Sequence, residues 1–397
     1  MKIKQVPDDF RVDEVTDFAA TGGPFALYRL EKVGWTTHDA INTIRRLWQI
    51  PFERLSYGGL KDRHARTTQH LTIESGPARN LAEQGIVLTY LGQAPQPFTS
   101  DCIRANRFII VVRDLGADQI AFAQRAIDDV RRDGLANYFD DQRFGSVSGG
   151  GEFIGQCMVE ERWEEALKLA LTTPSEFDRS AEKKQKAILR QHWGNWRECG
   201  RRLGVCHART LVEYLTSRPS DFRGAIGRLR GDLAGLYLSA YQSHLWNAFL
   251  ARWLTRCLPA SCRVDVQLKL DRVPFPRGLS NEQSAMLEKL VLPLPSARLK
   301  YDELVPDAPP DWAEVLRETL DENGVALEQL RLKRLRRPFF SRGERAIVCR
   351  PRDLTFGSEA DDRHPTRFKA ALAFELPRGS YATLLVKRIT VKTLPAA

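Results

Sequence analysis

Apolar and polar positions alternate with a period of two along Phe10-Arg11-Val12-Asp13-Glu14-Val15, the pattern of a half-buried strand, and a second strand is read over 25–30. The period then changes. Ala40, Ile41, Ile44, Leu47 and Trp48 recur at helical spacing behind Thr36, with Asp39 three residues on, and the stripe stops short of Pro51. Alternation returns where Thr67, Gln69, Leu71 and Ile73 interleave with Thr68, His70, Thr72 and Glu74. Residues 107–112 read as a buried strand, and Ile120, Ala123, Ile127 and Val130 mark a helix stopped by Gly134. Two strand-helix successions predict a sheet with helices packed on it. The likeness of the halves is one of layout, without repeated residue identities.

From about 163 to 347 the texture becomes helical and Arg-rich, with helices read over 163–171 and 234–254. Strand patterns are read again over 371–376 and 384–391. The expectation is therefore a discontinuous domain, 1–162 with 348–397, whose sheet the C-terminus completes, and a mainly helical insertion, 163–347.

Composition narrows the class of protein. The chain has 397 residues, 43% hydrophobic and 28% charged, which fits a globular protein of two domains or one with a large insertion. Lys and Arg number 60 against 50 Asp and Glu, and the net charge of +10 favours a polyanionic partner, nucleic acid first. Seven cysteines include no C-x-x-C pair and read as reduced thiols. The N-terminus turns polar before an apolar segment forms, and no run approaches the roughly 20 apolar residues of a membrane span. A soluble, cytoplasmic protein is expected.

The densest chemistry lies in Ser56-Tyr57-Gly58-Gly59-Leu60-Lys61-Asp62-Arg63-His64-Ala65-Arg66-Thr67-Thr68-Gln69. Asp62 stands between Lys61 and Arg63, on a loop feeding a strand. A close cation lowers a carboxylate pKa by about one to three units, so the expected species is an ionised base or nucleophile. A surface turn with solvated charges is the alternative. Further on, Asn137-Tyr138-Phe139-Asp140-Asp141-Gln142-Arg143-Phe144-Gly145 mixes directional hydrogen-bonding groups with rings on which a base can stack. Ser148-Gly149-Gly150-Gly151 lacks the signature of a nucleotide-binding loop and reads as a flexible connection. His244 reads as a packed or capping histidine, with no second histidine at i+4 to make a metal pair. The pairs Asp8-Asp9, Asp140-Asp141 and Asp361-Asp362 read as solvated turns, not as the clustered acids of a metal-dependent nuclease. Arg331-Leu332-Lys333-Arg334-Leu335-Arg336-Arg337 is a basic stretch suited to solvent or to phosphates.

In chain order, the opening from Lys4 to Phe10, Gly59-x-Lys61-Asp62-Arg63-His64-Ala65-x-Thr67-x-Gln69, Asn137-Tyr138-Phe139-x-x-Gln142-Arg143-Phe144-Gly145, the Gln242-Ser243 helix and Leu376-Pro377-x-Gly379-Ser380-Tyr381-Ala382-Thr383 resemble the TruD family of tRNA pseudouridine synthases. The resemblance implies an α/β (α+β) architecture: a mixed-sheet catalytic domain interrupted by a mainly helical TRUD insertion, with an RNA cleft between them. It implies isomerisation of uridine to pseudouridine, at tRNA position 13 in bacterial members, with no cofactor and no metal, and a monomer with tRNA as its partner. By residue match Asp62 is the catalytic aspartate. Lys4, Phe10, Asn137, Phe139 and Tyr381 fall where members line the uridine pocket, and Lys61, Arg63, Gln69 and Arg143 stand in support.

Two positions depart from the pattern. Asp140 replaces a usual glycine, a substitution compatible with a left-handed turn, and Lys387-Arg388 replaces an arginine followed by an acid. The chemistry suits the loop. Pseudouridine formation breaks C1′–N1, turns the uracil and joins C5 to C1′, with the base out of its stack throughout. Asp62 could attack C1′, add to C6 or take the C2′ proton, and each route needs a carboxylate kept charged by Arg63 or another cation. Asn137 could hold Asp62 or the uracil edge. The competing readings are an RNA-binding protein of this fold without catalysis and a synthase acting on other RNA.

Overall fold

Ala26, Tyr28, Leu30 and Lys32 all point into one buried face because they sit at alternate positions of the strand Phe25–Val33. In the computed structural model, which describes residues 1–145, 147, 151–174, 178–332, 335 and 339–390, this strand lies third from one end of a nine-stranded mixed sheet. Across the sheet the order is Arg352–Ala360, Phe368–Pro377, Ala105–Leu115, Phe10–Val15, Arg66–Glu74, Phe25–Val33, Ile86–Ala94 and Leu81–Glu83, with Leu55–Tyr57 also paired to Arg66–Glu74. Phe10–Val15 runs parallel to Arg66–Glu74, and the other pairings are antiparallel. The C-terminal strands thus complete the sheet begun by the N-terminal ones, as the alternation predicts.

The chain folds as two compact units. Among the described residues the first comprises Met1–Ala136, Phe275–Ser284 and Val348–Thr390; the second comprises those of Asn137–Pro274 and Ala285–Ile347. The described residues between 137 and 162, which the sequence reading joins to the first part, belong to the second.

In the first unit the helix Thr37–Trp48 begins at Thr36, whose hydroxyl accepts from the Asp39 amide at 3.1 Å. Its Ala40, Ile41 and Ile44 are buried against Tyr28, Leu30, Leu71 and Ile73. The helix Ala117–Asp133 ends at Gly134, whose φ of 77° is left-handed and whose Cα lies so close to Val348 that a side chain would collide. Against it packs a helix, Ala382–Thr390, where a strand is expected over 384–391. Ala382, Leu385, Val386 and Ile389 explain the difference: they follow i, i+3, i+4, i+7, and a short apolar run does not by itself separate strand from helix. Val391 lies outside the described residues.

The second unit is built on the helix Gly231–Cys257, which buries Leu238, Tyr241, Leu245, Trp246 and Phe249 and packs against Ile154–Val159 and Trp312–Glu322. Helices dominate, as predicted, together with a small antiparallel pair, Val291–Pro293 with Glu344–Ala346, which the sequence reading misses. The Ser148-Gly149-Gly150 connection and most of the basic stretch, Lys333, Arg334, Arg336 and Arg337, lie outside the described residues.

Candidate active site

The loop that carries Asp62 is tied to its surroundings at several points, all within the first unit. Gly58 passes so close to Ile103 and Phe98 that a side chain has no room. The Thr37 hydroxyl accepts from the Lys61 amide at 2.9 Å and donates to Gln69 Oε1 at 2.9 Å, and Gln69 Nε2 donates to the Gly59 carbonyl at 3.3 Å. Gln69 thus supports the loop from the strand Arg66–Glu74, fully buried. The Lys61 ammonium turns inward, donating to Asn106 Oδ1 at 2.6 Å and lying 3.1 Å from Glu14 Oε1. Glu14, with its side chain fully enclosed, also accepts from the His70 amide at 2.8 Å. Lys32 reaches the same loop from below, donating to the carbonyls of Asp62 and Lys61. A buried polar framework of this kind holds a backbone because each member has its partner.

Asp62 itself remains about 43% exposed, and the cation on it comes from far along the chain. Lys4 Nζ donates to Asp62 Oδ2 and lies 4.3 Å from the centre of the Phe10 ring. Phe10 is buried, edge-on to Phe108. Lys4 is carried there by the segment on either side. Lys2 exchanges backbone hydrogen bonds with Arg113, and the Val6 amide donates to Asp9, which is itself ion-paired to Arg113 at 2.9 Å. Between these anchors Lys4 adopts φ 55°, a left-handed conformation that an ordinary residue holds only when its surroundings impose it. The charge expected from the flanking Lys61 or Arg63 is thus supplied by Lys4. Lys61 is engaged below the loop, and the exposed Arg63 donates to the Gly34 carbonyl at 3.2 Å.

Phe139, Asn137 and Arg143 come together in the second unit. The Phe139 amide and carbonyl are both bonded by the Asn247 side chain at 2.8 Å, which fixes the backbone. Its ring meets Trp246 edge-on, with centroids 5.6 Å apart, and lies 4.2 Å from the Arg345 guanidinium and 5.7 Å from that of Arg143. Asn137 is buried; its amide donates to the Ala346 carbonyl at 3.1 Å and its Oδ1 accepts from Arg345 at 2.8 Å. Arg345 also donates to the Asn137 carbonyl at 2.7 Å. Asn137 therefore orients Arg345 over the aromatic ring. Gln242 and Ser243 brace this region: Gln242 donates to the carbonyls of Pro295 and Ser341, and Ser243 accepts from Arg143 at 3.2 Å. Tyr381, in the first unit, is half-buried directly ahead of the last helix.

Each of the acid pairs has one buried member, Asp9, Asp140 and Asp361, where solvated turns are expected. Arg113 gathers Asp9, Asp361 and Asp362 within 3.0 Å, and Asp9 and Asp361 are buried. Burial alone would raise Asp361, but bonds from the amides of Arg363 and Asp114 and from Arg113 hold it below the ordinary carboxylate range. Asp140 is also buried, while Asp141 accepts from the Lys269 amide at 2.9 Å. His244 is a packed histidine, stacked on Phe153 with centroids 4.7 Å apart, and burial lowers its pKa. Among the described residues, Glu152, Cys157 and Glu165 could offer a metal three ligand atoms within 4.8 Å of one another, but Arg162 is hydrogen-bonded to both carboxylates. Burial pushes the Cys157 thiol up to about 12, far from the thiolate a metal would need. All seven cysteines are free. No helix among the described residues is long and apolar enough to cross a membrane.

The family model for tRNA pseudouridine synthase D (TruD) matches residues 1–389. The chain belongs to the TruD family. It is 29% identical over 405 residues to "Probable tRNA pseudouridine synthase D 1" of Methanococcus maripaludis, covering 98% of this chain and 99% of that one. It is 28% identical over 404 residues to "tRNA pseudouridine synthase D" of Leptospira interrogans, covering 98% and 96%. A crystal structure of a TruD protein from Methanosarcina mazei shares the fold, with a TM-score of 0.70 and 24% identity over 98% of this chain and 93% of that one. The mixed α/β architecture is that of the TruD proteins, a family of tRNA-modifying isomerases.

Within the TruD pattern the two departures are accommodated. Asp140 has φ −89° and ψ 168°, an extended backbone open to any residue, so the left-handed turn expected there is not used. Arg388, at the place of the expected acid, is buried and pairs with Asp129 on another helix at 3.2 Å. Lys32, Glu14 and Arg345 escape the motif-based reading. Lys32 and Glu14 were discoverable, since each is a charged residue at an inward position of an alternating strand, whereas Arg345 lies in a segment with no pattern to flag it.

Proposed function

We propose that this protein converts uridine 13 of tRNA to pseudouridine, acting as a cytoplasmic monomer with Asp62 as its catalytic carboxylate. The observation that carries the proposal is the Lys4–Asp62 pair: an aspartate on a pinned loop, open to solvent, with its charge offset by an ammonium held over the Phe10 ring. The whole-length match to proteins named for tRNA pseudouridylation supports the substrate, and a net charge of +10 suits a polyanion.

The reaction balances without redox chemistry. C1′–N1 breaks, the detached uracil turns, C5–C1′ forms, and the proton on C5 leaves to solvent while N1 gains one. Asp62 would serve by attacking C1′ or C6, or by removing the C2′ proton; each route requires a deprotonated oxygen. Lys4 meets that oxygen with a charge-assisted hydrogen bond. The uridine must leave its stack, and within the second unit the Phe139 ring with the Arg345 guanidinium offers the kind of surface on which a flipped base stacks. Mapping pseudouridine in total tRNA with and without the protein tests the assignment. Pseudouridine at position 13 should depend on the protein; unaltered modification at every tRNA position would overturn the proposal.

A further inference from the structure

Lys32 is 1% exposed, at an inward position of Phe25–Val33, where an ammonium without partners would be costly. Its Nζ donates to three backbone carbonyls, Trp35 at 2.8 Å, Asp62 at 2.9 Å and Lys61 at 3.3 Å. These belong to two separate segments, the turn that follows its own strand and the loop that presents Asp62. A lysine has three donors, and here all three are used on backbone. Gln69 and Thr37 hold the loop at Gly59 and the Lys61 amide, whereas Lys32 holds it at the carbonyl of Asp62 itself. We infer that Lys32 is a positioning residue for Asp62, tying the peptide on either side of Asp62 to the Trp35 turn and so fixing where its carboxylate points. This inference rests on the assignment of Asp62 as the catalytic group.

The tie depends on a proton. A neutral amine has two N–H donors and a lone pair, so on deprotonation one of the three carbonyls loses its partner and the lone pair faces acceptors. Burial lowers Lys32 to about 8. Two charged groups bear on it, both from the loop: Asp62, which favours the ammonium, and Lys61, which opposes it. Thr67 and Ile86, its partners on the neighbouring strands, carry no charge, and Lys4 and Arg63 engage Asp62 and Gly34. The loop should therefore lose its anchor as pH rises through about 8. Stability has the opposite sign. With a folded pKa below the ordinary 10.5, the folded state binds fewer protons than the unfolded one between about 8 and 10.5, so this group's contribution to folding improves as pH rises through that window. Catalysis and stability then diverge, which a merely structural lysine would not produce.

The test is single-turnover release of tritium from C5-labelled uridine in tRNA, from pH 6.5 to 9.5, for the wild type, Lys32→Arg and Lys32→Met, with tRNA affinity and melting temperature measured alongside. The wild-type rate should fall about tenfold per pH unit above 8 while the protein stays folded. Arginine keeps charge and donors, so Lys32→Arg should lose the alkaline fall. Lys32→Met should lose roughly a hundredfold in rate at pH 7, with tRNA affinity within about threefold of wild type. An alkaline fall unchanged in Lys32→Arg, or a folded Lys32→Met protein with wild-type turnover, overturns the inference; should Lys32→Met not fold, the comparison of arginine with wild type decides. Wild-type protein without tritium release at any pH would instead overturn the synthase assignment itself.

Discussion

Lys4 and Asp62 stand 58 residues apart in the chain, yet the ammonium of one rests on the carboxylate of the other. The pair exists because Arg113 anchors both sides of the N-terminal segment, through the Lys2 backbone and through Asp9. A hydrogen bond to a charged group contributes about 1.5–3 kcal/mol, so Lys4→Met should lower turnover by roughly ten- to a hundredfold. Binding of tRNA should change little. Lys4→Gly separates backbone from charge: it suits the φ of 55° but lacks the ammonium, and it should be as slow as Lys4→Met without being less stable. Wild-type turnover in both variants would remove Lys4 from the active site.

Phe139 carries a second expectation. Its ring lies against Trp246 and beneath the Arg345 guanidinium, while its backbone is fixed independently by Asn247. Phe139→Ala should therefore keep the local backbone but weaken substrate binding and turnover together, by about 1–3 kcal/mol. Tyrosine should restore more than leucine. A variant that melts early yet keeps full activity in its folded fraction would show that the ring serves packing alone.

The Arg113 cluster predicts the response to acid. Asp362 is held well below the ordinary carboxylate range by its bonds from Lys369 and Arg113, and Asp361 is held low as well. Depressed folded values mean that their stabilisation is present above the ordinary carboxylate pKa, about 4, and is lost as pH falls through the lower folded values. Melting temperature should drop steeply below pH ~4. Arg113→Met leaves Asp9 and Asp361 buried without their cation and should cost roughly 3–5 kcal/mol at pH 7, with a shallower acid dependence. Circular dichroism melts across pH 2.5–7 read both effects. A wild-type acid profile in Arg113→Met would show that other carboxylates govern it.

The parts of the fold that follow from period were legible in the sequence: the strands at Phe10 and Phe25, the helix from Thr37 and the strand after the Asp62 loop. They are legible because burial on one face imposes alternation or helical spacing directly on composition. The same rule, applied to charged residues, would have flagged Lys32 and Glu14, whose inward positions demand partners. Arg388 was visible as an exception, but its acid Asp129 lies on a distant helix that only the fold brings near. Asp9 and Asp361 read as solvated because nothing local announces Arg113 between them. The 382–390 segment misled because Leu384-Leu385-Val386 is apolar enough for either period. The loop of Asp62 stood out by its chemistry; the contact of Lys4 with it did not, since no local pattern encodes a contact across that separation.

The central claim is that Asp62 performs the chemistry. Asparagine keeps its size and one acceptor oxygen but cannot attack carbon or accept the proton. Removing the negative charge also frees Lys4 for phosphate, so binding should hold or tighten, an effect that salt screens. The most direct measurement is tritium release from C5-labelled uridine in tRNA by Asp62→Asn protein of wild-type melting temperature and undiminished tRNA affinity. No release above background is the expected result; release at the wild-type rate would contradict the assignment of Asp62 and place the reaction on another carboxylate.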